Sequence, residues 1–297
     1  MSPDRRQTDH SLLAHLSILI SGWRFFLLLQ APMTSSSQRD SSPVDGEPIN
    51  ESEAIRRMAD RNDPSGRYYA AWWLGRQRSR HPRTVPLLLE ALQERCTPGN
   101  SEATITPIAI ARNAVRAMAK LGDDAQPCIN ELLATLESGD TGLVECTART
   151  LGELRVEAAL PGLRRLLASQ SPTTPYEAVL EAIGMLGSQD PSVCAELKPF
   201  TTHDKILVRC AANRALLQIT REPIWADALL ELLQNKSIGV RRASLLDLAA
   251  AGWRPAAESI ANARVEANLK LVALRELTEQ CPPGEDRTFL EAMDDLL

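Results

Sequence analysis

Large apolar residues recur at Leu74, Met118, Leu151, Ile183, Leu216 and Leu248, in steps of 44, 33, 32, 33 and 32 residues. Four residues before each stands Ala70, Ala114, Thr147, Val179, Ala212 or Ser244, always small or β-branched. A small and a large slot one helical turn apart, repeating at this period, mark helical hairpins stacked so that each buries its neighbour's apolar stripe. The second helix of each unit opens near Pro86, Pro127 or Pro161 and carries one apolar stripe, as in Leu87-Leu88-Leu92 and Ile129-Leu132-Leu133-Leu136. Proline suits the first turn of a helix, where its missing N–H has no intrahelical partner. Gly122, Gly187 and Gly252 each follow a marker by one turn, the place for a left-handed C-terminal cap.

The pattern predicts an all-α protein, a HEAT-like α-α superhelix (solenoid) of about six helical hairpins occupying residues 51–297. The long first step places an insertion over Cys96 to Pro107, whose Thr-Pro-Gly-Asn-Ser is loop chemistry. Glu51 to Arg61 reads as a short helix ended by the turn Asn62-Asp-Pro-Ser-Gly66. Asn268 to Gln280 reads as a closing helix and Arg287 to Leu297 as an amphipathic tail, both shielding the last hairpin. Residues 33–50 are rich in Ser, Asp, Pro and Gln and form a disordered lead-in, because they bury too little apolar surface to offset their ordering entropy. Residues 12–29 are apolar over about the length of a bilayer span but carry His15 and Arg24. Met33 is read as the true start, leaving 1–32 as an apolar N-terminal extension upstream of it; a peripheral anchor and a signal or span are the alternatives.

Composition narrows the function. The 297 residues are 44% hydrophobic, 24% charged and 4% aromatic, with a net charge of -5. Without a basic stripe, binding to nucleic acid is not expected. The six cysteines are scattered singly and read as free thiols of a reducing cytoplasm. The four histidines have no partner at ligand spacing, so no metal site is expected. His203-Asp204 could orient an imidazole, although a loop His beside Asp is usually incidental. None of the familiar hydrolase, nucleotide-phosphate or dinucleotide motifs occurs.

Against this background one helix stands out. Of four Phe, five Trp and three Tyr, four rings fall in Arg67-Tyr-Tyr-Ala-Ala-Trp-Trp-Leu-Gly-Arg76. As a helix it pairs Tyr68 with Trp72 and Tyr69 with Trp73 at i, i+4, bracketed by Arg67 and Arg76. In the repeat register Trp72 takes the slot of Arg116, Arg149, Glu181 and Arg214, and Tyr68 that of Arg112, Glu145 and Glu177, read as solvated positions. Trp73 takes a slot held by small residues and should reach toward the open end of the stack, while Tyr69 reads as ordinary core. Either the rings merely cover the first hairpin by packing on Glu51 to Met58, or they present a surface to a partner or a flat anionic ligand. The ladder Arg112, Arg116, Arg149, Arg209, Arg214, Arg241 and Arg242 reads as a solvated face, or as cations for an acidic ligand or partner.

Tyr68 to Gly75, with Arg112 to Gly122, Tyr176 to Gly184, Val208 to Thr220 and Asn268 to Arg275, resembles the E-type subunits of the cyanobacterial E/F-type phycobilin lyases. The resemblance runs from about Glu51 to the C-terminus. It implies a cytoplasmic HEAT-like subunit that pairs with a homologous F-type subunit and attaches, and can detach, an open-chain tetrapyrrole through a thioether to a cysteine of the phycocyanin α-subunit. The bilin, phycocyanobilin or phycoerythrobilin, would be substrate, with no tightly bound cofactor and no stable membrane insertion. On this reading Tyr68, Tyr69, Trp72 and Trp73 contact bilin or partner, Arg67 and Arg76 read carboxylates, and no catalytic residue is assigned. The acceptor supplies the nucleophile, so the lyase need only hold and orient the bilin. The chain lacks the Asn-His-Cys motif of the F-type lyase-isomerase subunit. The alternative is a non-catalytic HEAT-repeat adaptor binding phycobiliproteins.

Overall fold

Helix starts are written locally. Asn50, Asp63, Thr106, Asp140 and Asp190 each accept a hydrogen bond from a backbone N–H of the following first turn, contributing roughly 1 kcal/mol per cap. The computed structural model describes residues 49–97, 105–188, 190–282, 286–294 and 296. Residues 1–32, all but the end of the 33–50 lead-in, and 98–104 of the insertion lie outside the described residues. Two compact units divide at Leu154 and Arg155. The first holds α1 (Glu51–Ala59), α2 (Pro64–Arg76), α3 (Thr84–Gln93), α4 (Pro107–Leu121), α5 (Ile129–Thr135) and α6 (Thr141–Glu153). The second holds α7 (Leu160–Ala168), α8 (Tyr176–Leu186), α9 (Pro191–Leu197), α10 (Ile206–Thr220) and α11 (Pro223–Leu232). It ends with α12 (Ile238–Ala250), α13 (Ala257–Ala261), α14 (Ala267–Glu279) and α15 (Arg287–Asp294). Short 3-10 turns join several pairs, and no strand occurs among the described residues.

Within each unit the fold is the all-α, HEAT-like hairpin stack the periodicity predicts. All six large markers and all six small partners are 0% exposed. In the second unit α14 packs on α12 and α15 on α14, with Leu274, Leu277 and Phe289 joining the core formed by Leu229, Leu245 and Leu248. The turn at Asn62 to Gly66 is shorter than expected: Asp63 caps α2, and Pro64-Ser65-Gly66 already form its first turn.

Gly122, Gly187 and Gly252 have φ of 61°, 64° and 62° where the first helices stop. Arg78, Arg155 and Arg221 take the equivalent positions after α2, α6 and α10 with φ of 50°, 52° and 58°. A non-glycine residue there pays about 1–2 kcal/mol of steric strain. Arg155 Nη1 donates to Met185 O at 2.5 Å, and Arg221 donates to Ala251 O and, at 3.0 Å, to Gly252 O. These are C-terminal carbonyls of the next hairpin's first helix, where a cation is favoured.

The arginine ladder is engaged within the fold, and only Arg116 of it is exposed. Arg112 is bidentate on Asp140 at 3.0 and 2.6 Å, and Arg242 pairs with Glu266. Arg214, 3% exposed, lies 3.5 Å from the fully buried Asp247. Arg241 donates to the carbonyls of Asn235, Lys236 and Arg264, Arg209 to that of His203, and Arg149 pairs with Glu145. The links from Arg112, Arg214, Arg242 and, to Arg264, Arg241 join residues more than twenty positions apart, so these four fasten one hairpin to the next.

Candidate functional site

At 100° per residue, Tyr68, Trp72, Arg76 and Tyr69 fall within an arc of about 100° on α2, and Arg67, Ala70, Ala71 and Leu74 lie on the other side. The structure follows that division. Ala70, Ala71 and Leu74 are fully buried, while Tyr68, Tyr69 and Trp72 are 37%, 47% and 43% exposed. Helix α1 does pack on α2, burying Ala54, Ile55 and Met58, but on the Arg67 side. It does not cover the rings.

Tyr69 and Trp72 are in contact, with ring centroids 5.2 Å apart and planes inclined at 36°. The Arg76 guanidinium stands over the Trp72 ring at 5.5 Å from its centroid. Tyr69, Trp72 and Arg76 thus form a continuous ring-ring-cation surface spaced i, i+3, i+7, with Tyr68 beside it and Trp73 half-buried at its edge. Such a surface offers π faces to a flat conjugated molecule and a cation to an acid group.

Two expectations are corrected. Tyr69 is not core: its slot holds Asn113, Cys146, Ala178, Ala211 and Ala243 in later hairpins, and a phenol ring is too large for it, so the ring turns out onto Trp72. Arg67 is not a ligand-reading cation. Only 7% exposed, it donates through Nε to Met58 O at 3.1 Å and pairs through Nη1 with Glu94 at 2.8 Å, fastening α1 and the end of α3 to α2.

The α2–α4 seam sets the direction of the ring face. Gly75 meets Ala117 so closely that a Cβ on it would lie 2.6 Å from Ala117 Cα. One turn further back, Asn113 Nδ2 donates to Tyr68 O at 3.1 Å, and Arg116 Nη1 donates to Asn113 Oδ1 at 3.2 Å. Sequence reasoning passed over Asn113, although an amide in a slot otherwise held by thiol, methyl or ring was a visible signal.

The other candidates dissolve. His203 Nδ1 accepts from Lys205 N at 3.0 Å and its ring lies against Tyr176 and Phe200, at centroid distances of 5.6 and 6.2 Å. Cys128, Cys146 and Cys210 are buried; burial pushes the Cys128 thiol up to about 11 and raises that of Cys146 as well. No group of His, Cys, Asp and Glu fit to hold a metal ion occurs among the described residues. No helix among them is long and apolar enough to cross a membrane.

Residues 66–94, which take in most of the ring helix and all of α3, match the PBS lyase HEAT-like repeat. The chain is 42% identical over 278 residues to the bilin biosynthesis protein RpcE of Synechococcus sp. strain WH8020, covering 89% of this chain and all of that one. It is 36% identical to the phycocyanobilin lyase subunit alpha of Picosynechococcus sp., over 82% of this chain and 95% of that one. Among solved structures it resembles a chain of the complex of CpcE and CpcF of phycocyanin lyase from Nostoc sp. PCC7120. The TM-score there is 0.74, with 34% identity over 88% of this chain and 100% of the other. Identity of this extent over most of the chain establishes that it belongs to the phycocyanobilin lyase α-subunit family, the E-type subunits of the E/F-type bilin lyases.

Proposed function

We infer that the chain is one subunit of a heterodimeric bilin lyase that attaches an open-chain tetrapyrrole, phycocyanobilin or phycoerythrobilin, to a cysteine of the phycocyanin α-subunit. It acts with an F-type partner in the cytoplasm. The observation that carries this reading is the exposed Tyr69–Trp72–Arg76 surface with Tyr68 beside it, on a helix whose other side is fully buried. In the reaction the acceptor's thiol sulfur adds to the exocyclic ethylidene carbon, forming the C–S bond while the thiol proton passes to the conjugated system. The chain supplies no nucleophile. Its rings stack the planar part of the bilin, Arg76 draws a propionate carboxylate, and the thiol meets a tetrapyrrole held in one conformation.

The test is chromophore attachment. The chain is expressed with its F-type partner, the phycocyanin α-subunit and a bilin source, and covalent colour on the acceptor is read in acid urea. Replacing Tyr68 and Trp72 together by Ala abolishes the colour while leaving helicity unchanged. Full attachment by that variant refutes the ring reading, and no attachment by the unaltered chain favours an adaptor.

A further inference from the structure

We propose, building on the function inferred above, that the loop from α2 to α3 is the docking surface for the acceptor protein. Arg80 and Arg83 on it meet carboxylates around the acceptor's cysteine. Between Pro64 and Leu89 the chain carries five arginines and no Asp or Glu, in a protein whose net charge is -5. Four of them, Arg76, Arg78, Arg80 and Arg83, fall within eight residues. Arg78 is half-buried and takes the left-handed cap, whereas Arg76, Arg80 and Arg83 are exposed. None of these three has a carboxylate partner among the described residues. Arginines elsewhere behave otherwise: Arg61, Arg95, Arg112, Arg164 and Arg242 each reach a carboxylate more than twenty positions away.

The loop is held from beneath. Ser79, a buried residue, donates through Oγ to Glu51 at 2.6 Å and is bonded at 2.7 Å to the hydroxyl of the fully buried Thr84. Between them, His81 Nδ1 accepts from Arg83 N at 3.2 Å and His81 O from Thr84 N at 2.9 Å. Arg80 and Arg83 therefore stand on a short excursion closed at its base, which lowers the ordering cost of binding. The loop also begins at the rings: Arg76 stands over Trp72, and four residues of chain keep the Arg80 Cα within about 15 Å of that of Arg76. A bilin held on the rings is attacked by a thiol that must come within about 3–3.5 Å of its ethylidene carbon. That approach brings the acceptor's backbone over ground beside the rings. Unpaired guanidiniums there speed encounter with an acidic surface and orient it. Three cations on one compact loop do not trace the extended track that a phosphate backbone needs, so an acidic protein surface is the partner that fits.

The experiment uses the complex of the full chain with its F-type partner, saturating phycocyanobilin and the phycocyanin α-subunit without its chromophore. Covalent attachment is followed against acceptor concentration at low and at physiological ionic strength. The parent's apparent KM for the acceptor rises with salt. In the double variant Arg80→Glu, Arg83→Glu it is about tenfold higher at low salt and no longer rises with salt, while kcat and phycocyanobilin affinity stay within about twofold. Helicity is unchanged, since both side chains are exposed. The double variant Arg80→Lys, Arg83→Lys keeps the parent's KM, because charge at these positions carries the effect. An unchanged KM in the glutamate variant, with attachment still abolished by replacing Tyr68 and Trp72, overturns this inference alone. A weaker heterodimer, with KM for the acceptor unchanged at saturating partner, assigns the loop to the F-type subunit and overturns it too. No attachment by the parent complex overturns the proposed function and this inference with it.

Discussion

Adding a single methyl group at Gly75 tests the link between the seam and the ring face. In Gly75→Ala the new Cβ would stand 2.6 Å from Ala117 Cα and 2.7 Å from its Cβ, where carbon atoms in contact prefer about 3.5–4.0 Å. Both partners are fixed, one backbone and the other a methyl on a helix, so α2 and α4 must part by about 1 Å. Overpacking of this kind costs roughly 1–3 kcal/mol, and each kcal/mol lowers the thermal midpoint by about 2–4 °C. The displacement also moves the ring face relative to α4, and in a reaction that depends on orientation an error of about 1 Å costs up to ~100-fold in rate. Stability alone could mimic this, so the comparison is Gly184→Ala, whose Cβ would meet Ala215 Cα at 2.7 Å in the other unit. Both variants are expected to unfold earlier in circular dichroism, while chromophore transfer at a temperature where both are folded falls only in Gly75→Ala. Gly75→Ala with unchanged midpoint and transfer, or an equal fall in Gly184→Ala, would refute the reasoning.

Two further outcomes follow from local geometry. The Cys128 side chain is fully buried and its thiol titrates at about 11 against an ordinary 9.0, so the stability it lends is complete below pH 9 and is lost as pH rises toward 11. Urea unfolding should show the parent losing about 2 kcal/mol more than Cys128→Ala across that window. At the left-handed caps, Gln170, with φ of 48° and an exposed side chain, gains about 0.5–1 kcal/mol on replacement by Gly. Arg221→Gly instead loses about 1 kcal/mol, because it removes donors from Ala251 O and Gly252 O and a cation 5.6 Å from the Trp253 ring; thermal midpoints moving in the same direction for both would contradict the assignment.

The hairpins were legible because their packing rule is local: a small residue must stand one turn before a large one wherever two first helices cross. The glycine caps were legible for a similar reason, since glycine is the residue for which positive φ carries little cost. Arg155 and Arg221 do the same work with no local sign, because what offsets their strain is a carbonyl about thirty residues away in the next hairpin. Arg67 escaped for the same reason, its partner Glu94 being set by tertiary folding and not by helical spacing. The ring face was visible as a break in register, and Tyr69 was misread because a slot's burial was transferred without asking whether a larger ring would fit it.

That last error bears on how far a register argument reaches. The Trp72 slot was read as solvated because its sibling residues are charged, yet Glu181 is 2% and Arg214 3% exposed, the latter beside Asp247, while Leu246 fills the slot in α12 with 4% exposure. Charge in this slot therefore does not imply water. The slot follows the seam between hairpins, and it accepts a salt bridge or a leucine according to what the neighbouring helix offers. What distinguishes α2 is not that rings replace charges but that they remain uncovered, with Tyr69 and Trp72 each more than two-fifths exposed beside a helix, α1, that packs against the opposite side. Leaving such apolar area in water forgoes about 25 cal/mol for every Å² that burial would have removed from solvent. A fold that buries every one of its repeat markers has the means to cover two rings, so their exposure points to a binding partner outside the chain.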